Sequence, residues 1–181
     1  MEGLGKSICM DEMIPEKNGL IDEGLRVLLL EDSEEDAELI RYALQAAIPR
    51  LEFKRVDSRD EFERELRDFS PDVILADYVV PGFGGRSALE IVRGCDPNVP
   101  FIFVSGALGE ELAVELLRMG ATDYILKDRM SRLPAAISRS LEKVREKRLL
   151  AVRTAELEER VRLALWRMDS WLAPLIVEES A

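Results

Sequence analysis

The stretch Val73-Ile74-Leu75-Ala76-Asp77-Tyr78-Val79-Val80-Pro81-Gly82-Phe83-Gly84-Gly85 decides the fold. Four apolar residues in a row, without polar alternation, predict a short strand buried on both faces. The run breaks on a carboxylate, Asp77, and the proline and glycines after it predict a loop. Three more runs share this plan: Arg26-Val27-Leu28-Leu29-Leu30 ends at Glu31 and Asp32, Phe101-Ile102-Phe103-Val104 at Ser105-Gly106, and Tyr124-Ile125-Leu126 at Lys127. The alternating Leu51, Phe53 and Val56 add a fifth strand.

Helical patterns lie between the strands. Ser33 with Asp36 is a capping-box signal, followed by Ala37, Ile40, Leu44, Ala47 and Ile48 on one face until Pro49 stops the helix. Ser58 with Glu61 caps a second helix carrying Phe62, Leu66 and Phe69. A third is predicted over 86–94, and a fourth over 110–119 closes at Gly120 as a left-handed C-cap. Ile137, Leu141 and Val144 belong to a fifth. Strands alternating with helices build a parallel sheet covered on both faces. The predicted class is a doubly wound α/β fold.

Composition narrows the function. The 181 residues are 47% apolar and 34% charged, the balance of a globular protein, and the net charge of −11 argues against a bare DNA-binding domain. No apolar run approaches the roughly 18 to 20 residues needed to span a bilayer, and the N-terminus lacks a secretory pattern. Cys9 and Cys95 match no disulfide or metal spacing, which points to a reducing, cytoplasmic setting. The absence of histidine removes histidine-based catalysis and a histidine phosphocarrier within the chain.

Charge also divides the chain. Residues 1–24 carry two bases and six acids, residues 25–133 carry 14 and 22, and residues 134–181 carry nine and eight. Residues 1–24 read as a mobile leader; Gly3-Leu4-Gly5-Lys6-Ser7 within it ends like a phosphate-binding loop but lacks the first glycine and a leading strand. The last block reads as a helical extension over 139–181, after a domain over 25–138. Leu150, Leu157, Val161, Ala164, Met168 and Trp171 recur in heptad-like steps, Thr154 interrupts one core position, and Pro174 ends the pattern. Such a helix either pairs with a partner or folds back onto the domain. Trp166 and Trp171 would anchor either packing.

In a parallel sheet, ligands bind outside the carboxyl ends of the strands. Glu31, Asp32, Asp77, Ser105 and Lys127 fall at those ends. Three ionised carboxylates repel unless a cation sits among them, and an oxygen-only set favours a hard ion such as Mg²⁺ or Mn²⁺. Lys127 and the Ser105 hydroxyl suit the remaining oxygens of a phosphoryl group. Asp77, before a glycine-rich loop that would let a substrate approach, is the natural nucleophile for an acyl phosphate. Glu34, Glu35 and Asp36 read as a solvated helix start that complements the dipole.

On LLLED, VILADYVVPGFGG, FIFVSG and GATDYILKD, in that order and at the family's intervals, the chain resembles a response-regulator receiver domain from residue 25 to about 140. The resemblance implies strand order 2-1-3-4-5. It implies Mg²⁺ held by Glu31, Asp32, Asp77 and the Val79 carbonyl, and phosphorylation of Asp77 by a histidine kinase or phosphotransfer protein. Ser105 and Lys127 would grip the phosphate, and Tyr124 would turn inward as Ser105 moves, although an aromatic there is also ordinary core. Val79 would shield the phosphate from water. The output would be a switch passed by protein contacts, with homodimerisation through the C-terminal helix or the face of the fourth helix, fifth strand and fifth helix. No nucleic acid or membrane is implied, nor enzymatic turnover beyond self-phosphorylation and self-dephosphorylation.

Two positions depart from the pattern. Glu31 stands where Asp is commoner, and Asp128 follows Lys127 where the family usually has Pro, so a trans bond or a rearranged loop is expected there, since a non-proline cis bond costs about 2.5–4 kcal/mol. The Lys-Asp variant looks like receivers that feed sensor-kinase modules. The alternative to a phosphoacceptor is a receiver-like scaffold that works without phosphorylation. An aspartyl phosphatase is disfavoured, because Val79 occupies the second Asp of the D-x-D pattern.

Overall fold

The computed structural model describes residues 24–106 and 109–177. The expected leader and its glycine-lysine motif therefore lie, apart from Gly24, outside the described residues. The elements are β1 (Leu25–Leu30), α1 (Glu34–Gln45), β2 (Leu51–Val56), α2 (Arg59–Asp68), β3 (Val73–Ala76), α3 (Gly85–Cys95), β4 (Phe101–Ser105), α4 (Glu110–Arg118), β5 (Asp123–Leu126), a 3-10 segment (Lys127–Arg132) and α5 (Leu133–Val177). All strand pairs are parallel, in the order β2-β1-β3-β4-β5. The doubly wound sheet expected from the apolar runs is present, in the expected order.

Period-two alternation divides each central strand between two cores. Leu28, Leu30, Ile74, Ala76, Phe101 and Phe103 face one way, onto Phe62 of α2, Leu89 of α3 and Leu116 of α4. Val27, Leu29, Val73, Leu75, Ile102 and Val104 face the other, onto Ile40 and Leu44 of α1 and Leu133 and Ile137 of α5. Both faces are covered, so the central strands can be apolar throughout; the edge strand β2 keeps Glu52 and Lys54 exposed. Burying each large apolar side chain is worth about 1.5–3 kcal/mol.

The helix ends show where local signals held. Gly120, at φ +105°, follows α4; its N–H donates to Leu117 O (3.1 Å) and that of Ala121 to Leu116 O (3.0 Å), the paired bonds of a Schellman cap. Ser33 caps α1, its hydroxyl accepting from Asp36 N at 3.2 Å. The reciprocal half of the capping box is missing, because the Ser33 N–H donates to Glu31 Oε1 and the Asp36 carboxylate turns elsewhere. Ser58 stands at the start of α2 but makes no side-chain cap bond. Pro174 does not end the last helix, which continues to Val177. Proline removes one intrahelical donor and crowds the carbonyl four residues back, a cost that a helix can bear without ending.

The chain divides into two compact units between Leu141 and Glu142. The first closes its core with Leu133, Ala136, Ile137 and the half-buried Leu141. The second is helix, with Leu149, Leu150, Val152, Leu157, Val161, Leu163, Leu165 and Trp166 exposed. The expected core positions Met168 and Trp171 lie where side chains are outside the described residues.

Candidate functional site

The site is assembled by backbone continuity at the strand ends. Glu31 N donates to Val56 O (3.0 Å) and Asp77 N to Leu30 O (2.9 Å), extending the β1–β2 and β1–β3 ladders by one residue each. The side chains of Glu31 and Asp77 thereby leave the sheet at its carboxyl edge. Ser105, the last residue of β4, is buried there and pairs in register with Leu126, the residue before Lys127.

Lys127 ties the edge together. Its ammonium lies 2.8 Å from Asp77 Oδ2, 2.8 Å from Glu31 Oε2, and hydrogen-bonds Asp36. Glu31 is 1% exposed; its Oε1 accepts from Ser33 N at 3.2 Å, while its buried Oε2 carries no aligned hydrogen bond despite the close ammonium. Asp77 Oδ1 faces the Val79 N–H at 3.4 Å. Arg55 braces the loop from outside by donating to the Glu31 carbonyl at 3.0 Å.

Burial pushes the Glu31 carboxyl above the ordinary glutamate value, although the Lys127 and Ser33 contacts pull it down. Burial works against the Lys127 ammonium too, but the close carboxylates of Asp36, Asp77 and Glu31 outweigh it and hold the lysine above its usual value. Three carboxylates thus share one ammonium, and the most buried of them favours its proton because of that burial.

Of the expected residues, Glu31, Asp77 and Lys127 converge, and Ser105 ends the strand beside them. Asp32 is exposed and its carboxylate is not among Lys127's partners. Val79 is 69% exposed. Tyr124 is half-buried against the core that includes Phe103. Asp36 is the residue missed: read as part of a solvated helix start, it instead binds Lys127. Its legible signal was position, since α1 starts directly after β1 and its first turn must lie beside the strand ends.

Two of the glycines after Asp77 also serve packing. A Cβ on Gly85 would sit 2.4 Å from Asp77 O and 2.7 Å from Phe103 Cε1, and one on Gly84 3.1 Å from Tyr78 O. These two glycines let α3 close onto the end of β3, while Gly82 has nothing within 4 Å of an added Cβ. At Lys127–Asp128 the expectation of a trans bond is met: among the described residues no peptide is cis, and the chain turns into the 3-10 segment.

The carboxylate oxygens of Glu31, Asp32 and Asp77 are of the kind a hard divalent cation prefers, and Glu31 Oε2 lacks an aligned hydrogen bond. In the conformation seen, no three carboxyl groups among the described residues close tightly enough to hold an ion. Lys127 instead spans Glu31, Asp36 and Asp77.

The model of the response regulator receiver domain family matches residues 27–138, more than half of the chain. The chain belongs to the response-regulator receiver family. It is a receiver domain of two-component signalling with a long C-terminal helix. The receiver is 33% identical over 129 residues to the transcriptional regulatory protein RprY of Bacteroides fragilis, covering 71% of this chain and 54% of the relative. To the chemotaxis protein CheY of Thermotoga maritima it is 24% identical, covering 67% of this chain and 98% of CheY. Among solved structures, the signal receiver domain of a LuxO repressor protein from Vibrio parahaemolyticus superimposes with a TM-score of 0.63 at 25% identity, over 70% of this chain and 97% of that one. The receiver thus spans about half of RprY and nearly all of CheY. No helix among the described residues is long and apolar enough to cross a membrane.

Proposed function

We propose that Asp77 is the phosphoacceptor of this receiver, taking a phosphoryl group from a histidine kinase or phosphotransfer protein. The observation that carries the reading is the direct Lys127–Asp77 contact at the carboxyl edge of the sheet, 2.8 Å long and half enclosed. In the reaction an Asp77 carboxylate oxygen attacks phosphorus, the donor's P–N bond breaks, and the imidazole nitrogen leaves with the electron pair. Oδ2 accepts from Lys127 and Oδ1 only from the distant Val79 N–H, and each oxygen keeps a lone pair with which to attack. Lys127 then follows the charge onto a phosphoryl oxygen, and the Ser105 hydroxyl donates to another.

Glu31, Asp32, Asp77 and the Val79 carbonyl would hold Mg²⁺ or Mn²⁺, which when bound neutralises the crowded oxygens. Tyr124 is assigned the switch role beside Ser105, and the exposed Val79 side chain screens the acyl phosphate from water. Residues 25–138 act as the receiver, and residues 139–181 carry its output by pairing with a second copy. The chain works as a cytoplasmic phosphoacceptor rather than as a turnover enzyme. The test is fluorine NMR of the full chain with beryllofluoride. Bound resonances that need both Mg²⁺ and Asp77 support the reading, and bound resonances retained in Asp77→Asn contradict it, as does their absence from folded wild type.

A further inference from the structure

Two ridges with coiled-coil period run exposed along the second compact unit. One is Leu150, Thr154, Leu157, Val161 and Ala164; the other is Leu149, Val152, Glu156, Glu159, Leu163 and Trp166. Charge separates them. Closing the second ridge on its own copy would set Glu156 against Glu156 and Glu159 against Glu159, burying like charges without a partner. The first ridge has one polar residue between Leu150 and Ala164, and it is already satisfied: Thr154 Oγ1 donates to the Leu150 carbonyl at 2.9 Å. That hydroxyl can enter an apolar seam without losing a hydrogen bond.

On the first ridge Leu150, Leu157 and Ala164 fall at heptad position d, and Lys147, Thr154 and Val161 at a. Arg153 and Arg160 then flank the seam at g, and Glu158 at e. In a parallel pair each g residue meets the e residue five positions on, so Arg153 meets Glu158 of the second copy, twice by symmetry. In an antiparallel pair g meets g, setting Arg153 against Arg160. Lys147 at the first a position adds a preference for two strands over larger bundles.

We propose that residues 147–166 pair with the same segment of a second copy, parallel and in register, along Leu150, Leu157, Val161 and Ala164. This rests on the reading that the extension pairs with its own kind, and it adds seam and orientation. The test uses the full chain with Cys9→Ser and Cys95→Ser, adding Leu150→Cys or Val161→Cys singly. The variants are oxidised alone and mixed, linked peptides are identified by mass spectrometry, and light scattering gives the mass. Each variant cross-links to its own copy, while 150–161 links are absent because those positions lie about 16 Å apart along a helix. Arg153→Glu lowers the dimer association constant by about 5-fold or more, and adding Glu158→Arg restores it. A monomer at every concentration overturns the pairing itself. A dimer that gives 150–161 links and no self-links overturns the orientation alone.

Discussion

Lys127 serves three carboxylates, and Glu31, the most buried of them, is served least well. Its raised pKa means that the folded protein holds the Glu31 proton more tightly than the unfolded chain does. Ionising Glu31 therefore costs stability, a cost absent below its ordinary value of 4.5 and growing as pH rises through the folded value. In metal-free protein at neutral pH, Glu31→Gln melts higher than wild type by roughly 2–6 °C. The gap closes as pH falls to about 4, and added Mg²⁺ reverses the order by stabilising wild type only; calorimetry across pH with and without Mg²⁺ checks both. Position at the strand ends was legible because apolar runs stop abruptly at Glu31, Asp77, Ser105 and Lys127. Side-chain direction was not. Asp32 and Asp36 are both acids in the first loop and turn, and only the backbone path between Glu31 and Ser33 decides that Asp36, not Asp32, reaches the lysine.

Elements show the same division between pattern and packing. The Schellman cap at Gly120 could be read because the left-handed residue is itself the signal, and Arg93 reinforces it by donating to Gly120 O and Val99 O, both at 2.9 Å. The cap expected from Ser58 failed because residue type permits a cap bond without aiming the hydroxyl. The glycines after Asp77 were legible as a break, but the packing role of Gly85 was not. Gly85 is the point where α3 touches the backbone of β3, so Gly85→Ala must displace Asp77 O or Phe103. We expect a loss of about 2–3 kcal/mol in urea unfolding. Gly94, in the same helix, has nothing within 4 Å of an added Cβ, and Gly94→Ala gains about 0.5–1 kcal/mol. Equal effects at the two positions would contradict the close-approach role.

At the scale of the molecule, the two cores finish before the second unit begins. Their last contributions come from Leu133, Ala136, Ile137 and Leu141. Truncation after Leu141 should leave a domain that melts cooperatively within about 2 °C of the full chain, since few folding contacts are removed. Loss of the cooperative transition would place part of the core in the extension. The sequence placed the domain's end near residue 138 by texture and charge; α5 runs through that point without a break, so nothing local marks where burial stops. The acidic balance of the domain remains a property of its surface and of its strand-end carboxylates, which is where the central claim lies. The most direct test is the intact mass of wild type and Asp77→Asn after incubation with Mg²⁺ and acetyl phosphate. A single Mg²⁺-dependent phosphoryl adduct on wild type, absent from the variant, is the predicted result. An adduct that persists in Asp77→Asn, or none on folded wild type, would contradict it.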